Sequence, residues 1–261
     1  MAFTRHALEL PQGSVAYHRG GDGPPLLYFH SAGGVRIGAA VETLAMSRTI
    51  YMPVVPGFDG TDRLIGVDSY PDLARLAGAF ADKLIEGECD VAGHSFGGRL
   101  AIWFAAFHPR KVRLLVLECP SGFRPAGAGP LSTDPKIVAR QMFAHPERIP
   151  PNEKSPEEAA RNRAVANHYH KGVDMDRDLV ARLGEIATVT LILHGTKDGM
   201  IPIESANFLK ARIPRSHLVF VYDAAHAIEV DQPERFAALV GDFLERGQAF
   251  LVNPGAAGAT A

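Results

Sequence analysis

The sequence predicts an α/β fold: a mostly parallel central sheet flanked by helices, with an inserted helical cap. Three observations predict it. Short apolar runs alternate with helical patterns along most of the chain, the alternation stops over residues 121–186, and it then resumes. A length of 261 residues suits one domain with an insertion. We therefore predict a core of residues 1–120 and 187–250, a cap of 121–186 and a flexible small-residue tail of 251–261.

The elements before the insertion follow in order from their patterns. Two strands near residues 5–10 and 14–19 flank the turn sequence PQG, and the apolar runs PPLLYFH and RTIYMPVV each lead into a Gly-containing loop. The stretch YPDLARLAGAFADKLIE has apolar residues at helical spacing, with Ser69 and Asp72 near its start. A strand, a helix and a strand complete this half, at 89–93, 96–108 and 112–118.

The insertion and the elements after it have different signatures. SGFRPAGAGPLSTDP is typical of a loop, whereas PEEAARNRAVA has Pro156 and acidic residues in its first turn and basic residues later, which predicts a helix. The alternation then resumes with the strand VTLILHG, a helix near 203–212, the strand HLVFVYD and a helix near 233–246.

Composition and charge exclude several classes of partner. The net charge is −2 and the Lys and Arg residues are scattered, so we expect neither a nucleic-acid nor an anionic-membrane partner. We predict no signal peptide, because the N-terminal segment MAFTRHALELPQGSVAYHRG has no continuous apolar region. We predict no membrane helix, because no window approaches the roughly 18 apolar residues that such a helix needs. Cys89 and Cys119 lie in or beside predicted strands, which favours buried thiols of a cytoplasmic protein over a disulfide.

One short segment concentrates glycine around a serine. Residues 93–97, GHSFG, fit the pattern G-x-S-x-G immediately after a strand and at the start of a helix. A sharp strand-to-helix turn holds the serine in a strained conformation and raises its hydroxyl above the sheet edge, at a helix N-terminus that favours negative charge. Ser95 is therefore a candidate nucleophile; taken alone, the segment is also compatible with a packing turn.

A nucleophilic serine needs a base, and the base needs an orienting acid. Asp198 follows the strand VTLILHG, and His226 follows the strand HLVFVYD. Ligands gather beyond the carboxyl ends of parallel strands, and the order Ser95, Asp198, His226 is the order that accompanies this turn motif. Individually, Asp198 is also compatible with a turn cap and His226 with a loop histidine.

The chain resembles α/β-hydrolase-fold enzymes of the cap-bearing, esterase- and lipase-like group. The matching segments are HSAGG, PGFDGTD, GHSFGG, FHPRKVRLLVLECPSG, HGTKDGMIP and AHAIEVDQPERF. The resemblance implies Ser95 as nucleophile, His226 as general base and then acid, and Asp198 as orienting carboxylate. Some relatives carry the acid where Glu118 stands, so Glu118 is an alternative.

The resemblance also implies an oxyanion hole, a set of donors placed where negative charge develops. One donor is the backbone N–H of Phe96. The other comes from HSAGG, where the family usually has His-Gly-x and this chain has Ser31 in place of the glycine. We assign Ala32 as the second donor, with Gly33 close behind; the Ser31 hydroxyl either contributes or only caps the loop.

The substrate pocket is predicted to include Ser31, Gly33, Met142, His168 and Tyr169, although a packed or solvated role is open for the cap residues. His94 is expected to be a structural neighbour of Ser95. The spacing of His168 and His170 does not place them on one helical face, which argues against a metal site. We expect no metal and no organic cofactor.

The predicted function is hydrolysis of a small carboxylic ester, a small-molecule substrate, through an acyl-enzyme on Ser95. One alternative is carbon–carbon hydrolysis of ring-fission products, although such relatives commonly have tryptophan where this chain has Ala227. Another is a non-catalytic receptor on the same fold. A dinucleotide site is not predicted, since no G-x-G-x-x-G follows the early strand, and a serine in place of aspartate argues against halide removal and epoxide opening.

Overall fold

In the computed structural model, which describes residues 2–128, 132, 134–149 and 154–250, eight strands form one mixed sheet. The predicted tail of 251–261 lies outside the described residues. The strands are β1 Thr4–Leu10, β2 Gly13–Gly20, β3 Pro25–Phe29, β4 Thr49–Pro53, β5 Cys89–His94, β6 Val112–Glu118, β7 Val189–Gly195 and β8 Ser216–Val221.

The sheet order is β1-β2-β4-β3-β5-β6-β7-β8. The pairings β1–β2 and β2–β4 are antiparallel, and every pairing from β4 through β3 to β8 is parallel. All residues of β5 and β7 are buried. Because helices cover both faces, these central strands are buried along their whole length rather than at alternate residues. The predicted fold class is confirmed.

Helices cover the sheet and fill the insertion. They are α1 Ala39–Leu44, α2 Tyr70–Leu84, α3 Phe96–Phe107, α4 Pro135–Met142, α5 Pro156–His170, α6 Arg177–Val180, α7 Ile203–Arg212, α8 Ile228–Asp231 and α9 Pro233–Arg246. Side-chain caps start the two longest: Ser69 Oγ accepts from the Asp72 N–H at 3.3 Å, and Ser155 Oγ from the Glu158 N–H at 3.2 Å. Within the described ranges, no helix is both long enough and apolar enough to cross a bilayer.

The parallel strands direct their following loops to one edge of the sheet. The loops after β3, β5, β7 and β8 carry, in order, the segment HSAGG, Ser95, Asp198 and His226. Helices α4 to α6 belong to the segment between β6 and β7, which we call the insertion (residues 121–186). Helix α5 contacts the loops at this edge, since Asn162 and Tyr169 hydrogen-bond to the carbonyls of Gly33 and Pro56.

Candidate active site

The turn that carries Ser95 is too crowded for any residue but glycine at two positions. A Cβ on Gly93 would lie 2.2 Å from the Gly97 carbonyl oxygen, and one on Gly97 would lie 2.1 Å from the Phe29 carbonyl oxygen. Ser95 itself has φ +55° and ψ −108°, a strained conformation for a residue with a side chain. We call residues 93–97 the elbow.

Backbone hydrogen bonds hold Ser95 in this conformation. Its N–H donates to the Glu118 carbonyl at 2.8 Å, and its carbonyl accepts from the Ser121 N–H at 3.0 Å. Ser95 precedes the first residue of α3, so its hydroxyl lies at the positive end of that helix. The residue retains 9 % exposure, in contrast to the fully covered Phe96 that follows it.

His226 and Asp198 form a buried hydrogen-bonded pair. His226 Nδ1 lies 2.9 Å from Asp198 Oδ2, and their side chains are 4 % and 0 % exposed. Burial disfavours the Asp198 carboxylate, but His226 and the local hydrogen bonds outweigh burial and lower the Asp198 pKa to about 2. An ionised carboxylate can only accept, so Nδ1 of His226 donates in this hydrogen bond and the pair makes no use of Nε2.

The loops that carry this pair are locked together. Asp198 Oδ1 accepts from the N–H groups of Met200 and Ile201 at 2.8 and 2.9 Å, which fixes the carboxylate plane. A Cβ on Gly195 would lie 2.1 Å from the Ala225 carbonyl oxygen, so the two loops approach at backbone distance. Glycine at this position is therefore a requirement of the site.

The histidine loop is also tied to the insertion through Asp231, whose side chain is fully buried. Its Oδ2 accepts from the N–H groups of Ala144 and Ala225 at 2.9 and 2.7 Å, and its Oδ1 accepts from the His145 N–H at 2.8 Å. The Ala227 N–H donates to the Met142 carbonyl at 3.0 Å. The predicted pocket residue Met142 thus lies beside the histidine loop through its backbone.

Glu118, the alternative acid, makes different contacts. Its Oε2 accepts from the Tyr28 hydroxyl at 3.4 Å and its Oε1 from the Glu229 N–H at 3.1 Å. Within the described residues it forms no hydrogen bond with His226, which bonds to Asp198 instead. Burial and the neighbouring Glu229 carboxylate raise the pKa of Glu118 well above its usual range, which favours the protonated form of this side chain.

His94 joins the buried carboxyls of Glu118 and Glu229 to His226. Its Nδ1 lies 3.5 Å from Glu229 Oε1, to which Arg36 also donates at 3.3 Å. The His94 ring lies 4.9 Å from the His226 ring between centroids. His94 is thus a packing neighbour of His226; the sequence predicted it only as a structural neighbour of Ser95.

The loop HSAGG is held by its own first two side chains. His30 Nε2 accepts from the Val55 N–H at 3.0 Å, so Nδ1 is the donor toward the Ser31 carbonyl at 2.7 Å. Burial lowers the pKa of His30, which keeps the ring neutral. Ser31 Oγ accepts from the Gly33 N–H at 3.3 Å, whereas the Ala32 N–H makes no hydrogen bond to any described residue. Of the two candidate amides in this loop, Ala32 is the available one.

The two predicted pocket residues of α5 lie in different surroundings. Tyr169 is buried, its ring 6.0 Å from the Phe96 ring and its hydroxyl donating to the Pro56 carbonyl at 3.0 Å. The side chain of His168 is 31 % exposed and lies 3.0 Å from the Asp68 carboxylate, next to Arg63. Its role in the pocket stays a prediction.

Sequence reasoning missed a polar cluster against the elbow. Arg99 Nε donates to the buried Asp176 carboxylate at 2.8 Å, and the guanidinium lies 4.2 Å from the Tyr70 ring centroid. His170 lies 5.5 Å from the Phe96 ring, and burial together with Arg99 lowers its pKa to about 4. The signal was present: Arg99 is the one charged residue in the otherwise apolar helix FGGRLAIWFAAF.

A separate cavity of about 410 Å³ borders Glu229 and its ion-pair partner Arg36. Its lining includes Arg36, Arg148 and Glu229 but none of Ser95, Asp198 and His226. The cavity therefore borders the buried Glu229 rather than the three residues of the predicted triad.

Two sets of side chains in the described part of the chain bring potential metal ligands within 4.8 Å of one another. One consists of Cys119, Asp198 and His226, in which the last two are already hydrogen-bonded. The other consists of His94, Glu118 and Glu229, and there Arg36 already supplies a positive charge to Glu229. Within the described residues, His94 Nε2 and Glu229 Oε2 of this second set are buried without a hydrogen-bond partner.

A family model described as the alpha/beta hydrolase family matches residues 26–239. The chain belongs to this family. The match runs from β3 into α9, and the predicted resemblance is therefore confirmed.

Characterised relatives of this alpha/beta hydrolase include enzymes with different substrates. A 2-hydroxy-6-oxo-2,4-heptadienoate hydrolase from Pseudomonas putida is 30% identical over 87% of this chain and 91% of the relative. A pimeloyl-[acyl-carrier protein] methyl ester esterase from Aeromonas hydrophila is 28% identical over 88% of this chain and 99% of the relative. The solved structure of a serine hydrolase involved in carbazole degradation superimposes with a TM-score of 0.78 at 17% identity, over 94% of this chain and 99% of that one. The chain is thus a hydrolase by family.

Proposed function

We propose that Ser95, His226 and Asp198 form a catalytic triad that hydrolyses small carboxylic esters through an acyl-enzyme. One observation carries the proposal: the buried 2.9 Å contact between His226 Nδ1 and an ionised Asp198, at the sheet edge where the elbow presents Ser95. This contact leaves Nε2 of His226 as the base, which a serine nucleophile requires.

The reaction proceeds in two matched halves. His226 Nε2 takes the Ser95 hydroxyl proton while Oγ bonds to the ester carbonyl carbon, and the carbonyl oxygen becomes an oxyanion. As the intermediate collapses, the bond to the leaving oxygen breaks and His226 returns the proton to the alcohol. Water then attacks the acyl-enzyme with the same proton transfers, which releases the carboxylic acid and restores Ser95.

The oxyanion is held by the N–H groups of Phe96 and Ala32. Phe96 is the first residue of α3, so its amide is one of the donors that a helix leaves without a partner. The Ala32 amide has no acceptor among the described residues. Removal of one such donor in a serine hydrolase costs about 100- to 1,000-fold in turnover.

A second candidate is carbon–carbon hydrolysis of ring-fission products. The relative from Pseudomonas putida, a 2-hydroxy-6-oxo-2,4-heptadienoate hydrolase, favours it. The alanine at position 227 favours ester hydrolysis, because relatives that cleave carbon–carbon bonds commonly have tryptophan there. The relative from Aeromonas hydrophila is a methyl ester esterase, which supports an ester as the bond that this chain cleaves.

The first experiment measures hydrolysis of p-nitrophenyl esters from acetate to laurate, together with decay of the dienoate chromophore of a synthetic ring-fission product. Ser95→Ala and the exposed control Ser47→Ala are assayed alongside the natural chain. We expect ester turnover that is lost in Ser95→Ala and kept in Ser47→Ala. Turnover of the dienoate alone favours the second candidate, and Ser95-independent turnover, or none, refutes the triad and favours a ligand-binding role.

The insertion is proposed to act as the cap of this site, supported by the contacts of α5 with the loops at the catalytic edge. A cytoplasmic location is proposed as well. It is supported by Cys89 and Cys119, which are both buried and unpaired.

A further inference from the structure

One buried side chain joins the insertion to the loop that supplies the Ala32 amide. Asn162 lies in α5 and is 1 % exposed. Its Nδ2 donates to the Gly33 carbonyl at 2.9 Å and to Asp59 Oδ1 at 2.8 Å, and its Oδ1 accepts from the Asp59 N–H at 3.0 Å. Every polar atom of this amide is therefore used between two loops of the core.

Asp59 extends the connection to the far end of the same loop. Its Oδ2 accepts from the Val35 N–H at 2.8 Å, and Lys154 lies 3.2 Å from its Oδ1 while donating to the Val35 carbonyl at 2.6 Å. Burial raises the pKa of Asp59, but His30, Lys154 and the hydrogen bonds outweigh it and lower the pKa overall. The acceptor is thus a carboxylate, which makes strong hydrogen bonds.

The loop is consequently anchored at two ends with the Ala32 amide between them. His30 fixes the Ser31 carbonyl on one side, and Asn162 fixes the Gly33 carbonyl on the other. Close packing reinforces the second anchor, because a Cβ on Gly34 would lie 2.1 Å from Asp59 Oδ1. The first anchor belongs to the core, whereas the second belongs to the insertion.

We propose that Asn162 is a positioning residue through which the insertion sets the orientation of the Ala32 amide in the oxyanion hole. The inference rests on the proposed function of Ser95 and Ala32. If Asn162 has this role, α5 must pack against the loop before the Ala32 amide can stabilise the oxyanion, whether or not α5 also binds substrate. Misplacement of a catalytic group by about 1 Å costs on the order of 100-fold, so Asn162→Ala lowers kcat by about 10- to 100-fold.

The test compares Asn162→Ala with Asn167→Ala, a matched change at an exposed position of the same helix. Three quantities are measured: kcat and KM for p-nitrophenyl acetate, the rate of Ser95 labelling by a fluorophosphonate, and inhibition by a trifluoromethyl ketone relative to the parent methyl ketone. The trifluoromethyl ketone forms a tetrahedral oxyanion on serine, and the methyl ketone reports ground-state binding.

We expect Asn162→Ala to slow acylation and labelling and to weaken the trifluoromethyl ketone by about 10-fold or more, with little change in KM or in methyl-ketone binding. A purely structural role lowers the melting temperature, and leaves the ratio of the two ketone affinities unchanged. An unchanged ratio in a folded variant overturns the inference.

Lys154→Met provides a second variant that keeps the aliphatic stem and removes only the contacts with Asp59 and Val35. We expect a smaller loss in the same direction, which keeps the inference testable if Asn162→Ala does not fold. Fluorophosphonate labelling separates the two proposals. If Ser95 of the natural chain is not labelled, the proposed function fails; if it is labelled at the same rate in the variants, only the role of Asn162 fails.

Discussion

Gly97→Ala tests how closely the elbow and the oxyanion loop depend on each other. The added Cβ would lie 2.1 Å from the Phe29 carbonyl oxygen and 2.5 Å from the His30 carbonyl oxygen. Both carbonyls belong to the peptide units that lead from β3 into HSAGG. Gly97 has an ordinary helical backbone that alanine can also adopt, so the substitution adds a steric clash and no backbone strain.

The magnitude follows from the distance. Relieving the contact requires the elbow and the loop to separate by about 1 Å, and a displacement of that size costs on the order of 100-fold in rate. Overpacking of this kind costs about 1 to 3 kcal/mol of stability, partly offset by the better helix propensity of alanine. We therefore expect kcat for p-nitrophenyl acetate to fall by about 100-fold, with a modest fall in the midpoint of urea unfolding.

Gly184→Ala is the matched control. It lies at a position where an added Cβ meets no atom within 4 Å, so it should leave both quantities unchanged. Steady-state kinetics and urea unfolding of both variants provide the readout. Full activity and stability in Gly97→Ala would refute the reasoning, since they would mean that the two loops separate without consequence for the site.

Three further changes probe buried carboxyl groups. In Asp198→Asn the amide oxygen keeps the backbone contacts and the NH₂ group faces Nδ1 of His226, which forces the proton onto Nε2. We expect kcat to fall about 10⁴-fold. A loss of less than about 10-fold in steady-state kinetics would contradict the assigned tautomer. The pKa of Glu118 is higher in the folded chain than in the unfolded chain, so between these two pKa values folding takes up a proton. Over that range the free energy of unfolding falls as pH rises, by up to about 1.4 kcal/mol per pH unit. Glu118→Gln should flatten that decline and keep activity, as seen by melting temperature from pH 5 to 9; an equally steep decline would show that Glu118 is already ionised. Asp231→Ala leaves three backbone donors unpaired and should cost about 3 kcal/mol in urea unfolding, whereas a loss below about 1 kcal/mol would show that water replaces the carboxylate.

The sequence was sufficient for the elements with strong local signals. The helix from Tyr70 was predicted from its apolar spacing and from Ser69, which does cap it. The strands β6 and β7 were recognisable as largely apolar runs because both faces of the sheet are covered there. Helices α1, α6 and α8 were not predicted, since four to six residues are too few to show a helical period.

The candidate site divides in the same way. Residues at the ends of strands, such as Asp198 and His226, could be proposed because parallel topology brings strand ends together. Asn162 and Asp59 could not, since they come from segments 103 residues apart and nothing local to either indicates the other. Their meeting depends on how the insertion packs, which is decided by tertiary contacts rather than by any periodic pattern.

The place where the insertion leaves the sheet has a consequence for redesign. Strands β6 and β7 are parallel neighbours in register from Leu114 with Val189 to Glu118 with Leu193. The chain between them leaves at the carboxyl edge of the sheet and must return to the amino edge before β7 begins. A graft from a relative therefore has to supply a descending segment as well as helices over the site. The turn Leu183–Glu185, which packs against α3, is the natural splice point for such chimaeras.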